Sequence, residues 1–471
     1  MKIETKRVLA EGEGLHGRAR VMAMFAVALS VLLSVLDYAI ANVALPTIAH
    51  DIHASPSSSI WVINAYQLAS VSTLLPLASL GARVGFSRLC RIGLVMFVIA
   101  SLLCASSHTL LELSLARALQ GVGGACIMSV NIALLRFIYP HAEIGRGISL
   151  NGVVVASGVA LGPTIASAVL SVADWPWIFL INLPLGAVAM LAAIVYLPRT
   201  PRSESSFDLV SAALNVLAFG GTIVGLDSLV HHSGRVVAVI LLLSGLTAFV
   251  QLALRQAGRT DPMLPIDLLA VPDFLVAFGV GFGAFVASNF FIISMPFTLE
   301  TLLHRSAVAT GLLITPWPVG IVAISFIVGR IADNVPAGIL SSIGLAITGI
   351  GFALLCFLPA DAGNLDIIWR IGLAGVGFGI FQPPNNRAMM VSAPPGRSGS
   401  ASGMVSVARL AGQTMGAMFV ALTFSIVDRD PNLKCLELAA CTAGLSALLS
   451  VSRLFRGTLH PSSRPGVDAG I

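Results

Sequence analysis

The chain has 471 residues, of which 56% are hydrophobic and only 10% charged, with a mean hydropathy of +0.92. A soluble globular domain carries about 25% charged residues, so this composition excludes that class and describes a polytopic membrane protein. The net charge of +5 does not mark a nucleic-acid binder, because the basic residues are scattered among short loops rather than gathered in a stripe.

The first twenty residues mix Lys2, Glu4, Lys6, Arg7, Glu11, Glu13, Arg18 and Arg20 and lack the pattern of a secretory signal, so residues 1–20 read as a cytoplasmic tail. Apolar stretches of spanning length follow at 21–45, 58–80, 89–107, 113–137, 148–170 and 177–197. After a polar break come 209–229 and 236–254, and six more lie between 274 and 451. The total is about 14 transmembrane helices. This predicts an all-α integral membrane protein with a first helical bundle over 21–198, an inserted helix pair with its loops over 199–272 and a second bundle over 273–455. A cytoplasmic C-terminal tail over 456–471 completes the chain. With both termini inside, the outer loops hold only Arg235, Arg305, Arg370, Arg429 and Lys434 of the 27 Lys and Arg, while Arg117 and Arg409 fall within spans. That bias supports the orientation and an even number of crossings.

Asp37 is the lone carboxylate of the first span. An ionisable group at membrane depth is costly and marks a functional position, here a proton site. The competing reading is a structural network with Asn42 or Tyr38. Arg117 in the fourth span needs an anionic or carbonyl partner and either assists a proton-carrying acid or pins the bundle. Glu300, near an outer helix end, is a second coupling acid or an acid solvated at the interface, and Asp227 lies in the inserted pair. Arg409 meets an anionic substrate group or pairs across helices.

Two echoes suggest an internal repeat. Gly121, Gly123 and Gly124 are answered by Gly375, Gly377 and Gly379, and residues 149–154 by 400–405, in the same order within each half. Parallel six-helix repeats around a midplane path explain that order.

Several segments carry a family resemblance. Residues 77–88, with Gly81, Arg83 and Gly85, resemble the glycine and arginine loop of the major facilitator superfamily. Ala82 stands where that pattern usually has aspartate, and Phe86 where it has a basic residue. The second half answers with Gly329, Arg330 and Asp333. Residues 115–125 are similar to the arginine motif of proton-coupled members, and 158–167, with Gly158, Gly162 and Pro163, to the antiporter motif, with Ala166 and Ser167 replacing its final glycines. With residues 36–46, 61–66 and 175–186, these resemble the fourteen-span drug:proton antiporter branch, from residue 21 onward. Pro176 stands where a basic residue is usual, and Glu300 where glutamine is more frequent.

The resemblance implies a major facilitator fold of two six-helix bundles plus two inserted helices, and proton-driven export of amphiphilic drugs or toxic small molecules by alternating access. The implied setting is a bacterial cytoplasmic (inner) membrane, multi-pass. The implied partners are the substrate, protons and the lipid bilayer; no nucleic acid or cofactor is called for, and no accessory export protein is specified. Asp37 and Arg117 are the implied coupling pair, and the loop and antiporter residues serve gating and helix packing. Tyr38, Gln120, Phe290, Phe291, Met295, Trp317, Phe381 and Gln382 are candidate cavity residues, because aromatic and thioether side chains repack around varied ligands. A metabolite exporter, an uptake symporter and a non-transporting sensor are the alternatives.

An enzyme is disfavoured. The nine histidines sit in loops or at span ends, and Lys2, Lys6 and Lys434 are the only lysines, so no phosphate-cradling loop exists. The six cysteines lack metal or redox spacing and read as inert thiols.

Overall fold

The computed structural model describes residues 13–140, 143–202, 207–230, 235–257, 264–331, 335–359, 361–394 and 397–459. Among these residues, fourteen helical spans are long and apolar enough to cross a membrane. The first half contains α1 (Gly17–Asp51), the short α2 (Pro56–Ser59) leading into α3 (Trp61–Val84), α4 (Phe86–Ala105), α5 (Leu110–Ile138) and α6 (Ile144–Leu170). It closes with the short α7 (Pro176–Leu180) and α8 (Asn182–Tyr196). Two further helices follow, α9 (Leu209–Val230) and α10 (Arg235–Gln256). The second half contains α11 (Pro272–Phe297), α12 (Ala307–Ile314) continuing into α13 (Pro316–Ile331), α14 (Ala337–Cys356), α15 (Asn364–Ser392), α16 (Ser398–Ile426) and α17 (Pro431–Leu459).

Several helices outrun the apolar stretches that announced them. The first begins at Gly17, inside the segment read as a tail, and ends at Asp51. Helical hydrogen bonding does not stop where the apolar residues do. The starts are written locally. Thr109 and Glu112 form a capping box on α5, Ser55 caps α2 ahead of Pro56, and Ser306 caps α12. Pro46, Pro76, Pro163 and Pro296 lie within helices, which neighbouring helices tolerate in a membrane bundle.

Within each half the fourth helix is the hub, and its glycines show why. A Cβ on Gly123 of α5 would stand 2.8 Å from the Phe97 backbone nitrogen of α4, and one on Gly377 of α15 2.5 Å from that of Thr348 on α14. Gly121 likewise abuts the Tyr66 carbonyl of α3, and Gly375 the Trp317 carbonyl of α13. The glycine echo thus marks the same helix contacts in each half.

The halves meet along α1, α6 and α3 on one side and α11, α12 and α16 on the other. We call the end of the bundle where α1 begins the basic end, and the other the far end. Toward the far end Gly311 of α12 lies against the Pro163 carbonyl and Ser167 of α6, and Thr164 and Thr315 share a hydrogen bond of 3.1 Å. Helices α9 and α10 pack on each other beside α3. Asn215 donates to the Ser72 carbonyl at 2.6 Å and Trp61 Nε1 to Asp227 at 3.2 Å, while Phe219 joins Met404 and Val407 of α16 in one apolar cluster.

Candidate functional site

Four helices of the first half deliver five polar side chains to a single point, two of them from α5. Asp37 of α1 accepts from Arg117 Nη1 through Oδ2 at 2.5 Å, and through Oδ1 from Gln120 Nε2 at 2.8 Å and Asn182 Nδ2 at 2.6 Å. Ser101 of α4 accepts from both amides, at 2.8 Å and 3.3 Å. Arg117 also donates Nε to the Val62 carbonyl of α3 at 3.0 Å and Nη1 to Gln120 Oε1 at 2.5 Å. Its guanidinium lies 4.5 Å from the Tyr66 ring centroid and 5.6 Å from that of Phe179. Arg117 and Asp37 are 0% and 2% exposed, so the pair is sealed from water in this conformation.

The sequence helps to explain this geometry. Arg117 and Gln120 are three residues apart on α5 and share a face. Gly124, one turn further, leaves room for the Tyr66 hydroxyl: a Cβ there would stand 2.6 Å from it. Tyr66 in turn shares a 2.9 Å hydrogen bond with Ser34 of α1. A structural network of Asp37 with Asn42 or Tyr38 is not what forms. Asn42 instead donates to the Tyr38 backbone carbonyl at 2.8 Å, one turn back on its own helix. In the second half, the position corresponding to Arg117 in the Gly121/Gly375 echo is the buried Ile371, so no second pair exists there.

Beside this pair, a second polar group spans the seam. Tyr38 donates its hydroxyl to Asn289 Oδ1 of α11 at 3.1 Å and accepts from Gln67 Nε2 of α3 at 3.1 Å. Tyr38 and Tyr66 stack with centroids 6.4 Å apart. Arg409 of α16 is half-buried, its electrostatic neighbours are these two tyrosines, and no acceptor or carboxylate contacts it among the described residues. Asn182, Ser101, Tyr66, Gln67 and Asn289 were not singled out as site residues from the sequence; the isolated amides Asn182 and Asn289 inside apolar spans were the available signal.

The proposed cavity aromatics sit elsewhere. Phe291 and Trp317 pack with centroids 5.0 Å apart, Trp317 with Phe378 at 5.3 Å, and Phe378 with Phe381 at 5.3 Å, all buried in the second bundle. Met295 is fully buried and Phe290 stacks on Phe419, so these five line no open space in this conformation, and Gln382 is half-buried. Apolar spans use aromatics for packing as readily as for ligands, and composition does not separate the two.

Glu300 lies on a π-helical turn, Thr298–Leu302, at the far end, with Oε1 buried and unpartnered among the described residues. Of the loop residues, Gly85 adopts φ +104, which requires glycine, Gly81 packs on Val130, and Arg83 is exposed with no ion pair among the described residues. Gly329 and Arg330 lie on α13, and Asp333 falls outside the described residues. Gly158 faces Val35 and Leu32, and Gly162 faces Ala39, so the antiporter-like segment holds α6 against α1 on both sides of Asp37. No group of three or more metal-ligating side chains occurs among the described residues.

The Major Facilitator Superfamily profile matches residues 27–417. The chain belongs to that family. It is 43% identical over 446 residues to an uncharacterized transporter, YebQ, of Escherichia coli (strain K12), covering 94% of this chain and 98% of that protein. It is 28% identical to the riboflavin transporter RibZ of Clostridioides difficile (strain 630), covering 86% of this chain and 88% of that one. It is also 28% identical to the multidrug efflux pump LfrA of Mycolicibacterium smegmatis, covering 96% and 92%. Among solved structures, a POT family transporter in complex with a thioalcohol-conjugated peptide superposes with a TM-score of 0.73 at 13% identity, over 96% of this chain and 99% of that one. A D-xylose-proton symporter gives 0.67 at 15%, over 91% and 97%. These likenesses fix the fold. This facilitator-family protein is a multi-pass membrane transporter, and its family is not one of enzymes.

Proposed function

We propose that this transporter exports amphiphilic small molecules across a bacterial cytoplasmic membrane, driven by inward movement of protons, with both termini cytoplasmic. The observation that carries the reading is the buried Asp37–Arg117 pair, one residue from a hydrogen bond that joins the two halves. Arg117 has two acceptors besides Asp37, the Val62 carbonyl and Gln120 Oε1, so it keeps partners when Asp37 takes a proton. Releasing the carboxylate from Arg117 makes it a proton acceptor, and re-forming the pair expels the proton. Rocking of the halves about the midplane, breaking Tyr38–Asn289, alternates the exposure. Resemblance to a multidrug efflux pump and to a methylenomycin A resistance protein supports the direction of transport. Arg409 faces the same layer without a hydrogen-bond or ion-pair partner among the described residues, and a substrate bearing a carboxylate or other acceptor supplies one.

Everted vesicles containing the parent or Asp37→Asn test this by following dye uptake and proton movement together. The parent releases lumenal protons as dye enters, and Asp37→Asn does not. Dye uptake by the variant that still follows an imposed pH gradient refutes the role of Asp37.

A further inference from the structure

At the basic end, the start of α4 and the end of α8 lie side by side, and the segment after α8 folds back over α4. Ser87 Oγ donates to the Pro198 carbonyl at 2.6 Å, the Phe86 amide to Thr200 Oγ1 at 2.9 Å, and Arg91 Nε to the Ala193 carbonyl at 3.1 Å. Gly85, at φ +104, makes the turn into α4 that the fold-back covers. Beside these fastenings lies an open cavity of about 660 Å³ lined by Arg88, Arg91, Arg199 and Arg202 together with Thr200 and Ser87.

Four guanidinium groups around one cavity repel each other unless an anion joins them. None of the four contacts a carboxylate among the described residues; the next acid along the chain, Glu204, lies outside them. The loop position where the resembling motif carries aspartate is Ala82, which removes a local counter-charge. Arg91 is half-buried and fastened to the Ala193 carbonyl, while Arg88, Arg199 and Arg202 are exposed around the same cavity, Arg88 and Arg91 on α4 and Arg199 and Arg202 on the fold-back. Each element thus supplies two guanidinium groups, a charge that suits one phosphate group apiece.

The walls below the cavity decide between a free phosphate and a lipid. Along the same two helices Ile92, Val95 and Ile99 of α4 and Leu191, Ile194 and Val195 of α8 are between 43% and 64% exposed, an apolar surface that continues from the arginines into the membrane-spanning part. A soluble phosphate uses only the arginines, while a phospholipid uses both surfaces. We propose that this cavity binds the headgroup of an anionic phospholipid bearing two phosphates, of the diphosphatidylglycerol class, with its acyl chains on the α4 and α8 surface.

The test uses the purified full-length protein in detergent, with tetraoleoyl cardiolipin, dioleoyl phosphatidylglycerol, dioleoyl phosphatidylethanolamine and inorganic pyrophosphate as probes. Lipid retention is read by native mass spectrometry and stabilisation by thermal unfolding. Cardiolipin is retained and stabilises most, phosphatidylglycerol less, and phosphatidylethanolamine not at all. Arg88→Gln with Arg202→Gln weakens cardiolipin retention about 25-fold, roughly a factor of five per basic residue. The matching double substitution to lysine keeps part of it, and Arg146→Gln, an exposed arginine at the same end outside the cavity, leaves it unchanged. Equal retention of phosphatidylethanolamine, or unchanged cardiolipin binding in the Arg88→Gln, Arg202→Gln protein, overturns the proposal. Stabilisation by pyrophosphate as strong as that by cardiolipin also overturns it, in favour of a soluble polyphosphate.

Discussion

Tyr38 donates its hydroxyl to Asn289 across the seam at 3.1 Å, while the preceding residue, Asp37, is turned into the first bundle and held by Arg117. Neighbouring positions on one helix thus serve the inter-bundle layer and the buried charge pair. Tyr66 reinforces the link, with its ring against Arg117 on one side and stacked on Tyr38 on the other. Any rotation of α1 that breaks the seam bond also disturbs the carboxylate.

Removing either member of the buried pair strands the other. We expect Asp37→Ala and Arg117→Ala each to cost about 3–5 kcal/mol. The double variant should cost less than the sum, with a coupling of about 0.5–3 kcal/mol. Apparent thermal midpoints of the four proteins in detergent measure this. Strict additivity would mean that the two groups do not stabilise one another.

Arg409→Gln removes a charge from the inter-bundle layer without touching Asp37. For a substrate bearing a carboxylate, KM should rise about ten- to a hundredfold, the worth of one charged hydrogen bond, with proton coupling of the residual transport intact. Arg409→Lys should recover part of the loss. Initial rates in everted vesicles across a concentration series provide the check, and an unchanged KM in the glutamine variant would count against the contact.

Two glycines of the first half should respond oppositely to alanine. A Cβ on Gly123 stands 2.8 Å from the Phe97 amide nitrogen and 3.0 Å from the Gly93 carbonyl, so Gly123→Ala should destabilise by about 1–3 kcal/mol. Gly152 has nothing within 4 Å, and Gly152→Ala should be neutral or stabilise by up to about 1 kcal/mol through helix propensity. Unfolding temperatures compared side by side separate the two.

At the basic end, a hydrogen bond from Arg20 at 3.0 Å holds the Glu143 carboxyl below its ordinary titration range. Because the shift is downward, the link contributes above the ordinary carboxylate value of about 4.3 and is lost as the pH falls through the lower folded value. The parent should therefore be more stable than Glu143→Gln at pH 7, and the gap should close as the medium is acidified below that range. A gap of constant size would show that the ion pair is not its source.

The membrane spans were legible because twenty consecutive apolar residues have few alternatives in water. Asp37 and Arg117 were legible for the same reason: charge inside such a run stands out. Their partners were not. Which helix faces bring Asn182 and Ser101 to the carboxylate depends on the rotation of α4 and α8, which a single sequence does not encode visibly. Aromatic residues are ambiguous in a sequence for a related reason. Phe291, Trp317 and Phe381 have the composition of a ligand pocket, yet they pack with Phe352 and Phe378 where the first half keeps its charges.

The pair α9 and α10 adheres unequally to its two neighbours. Toward α3 it is fastened by directional bonds, from Asn215 to a backbone oxygen and from an indole to Asp227, whereas Phe219 meets α16 in an apolar cluster. Oily contacts tolerate slippage and directional ones do not, so under the proposed rocking motion these helices ride as an outrigger on the first bundle while the second glides past them. In that proposed motion the joint between the halves stays screened from lipid along this flank.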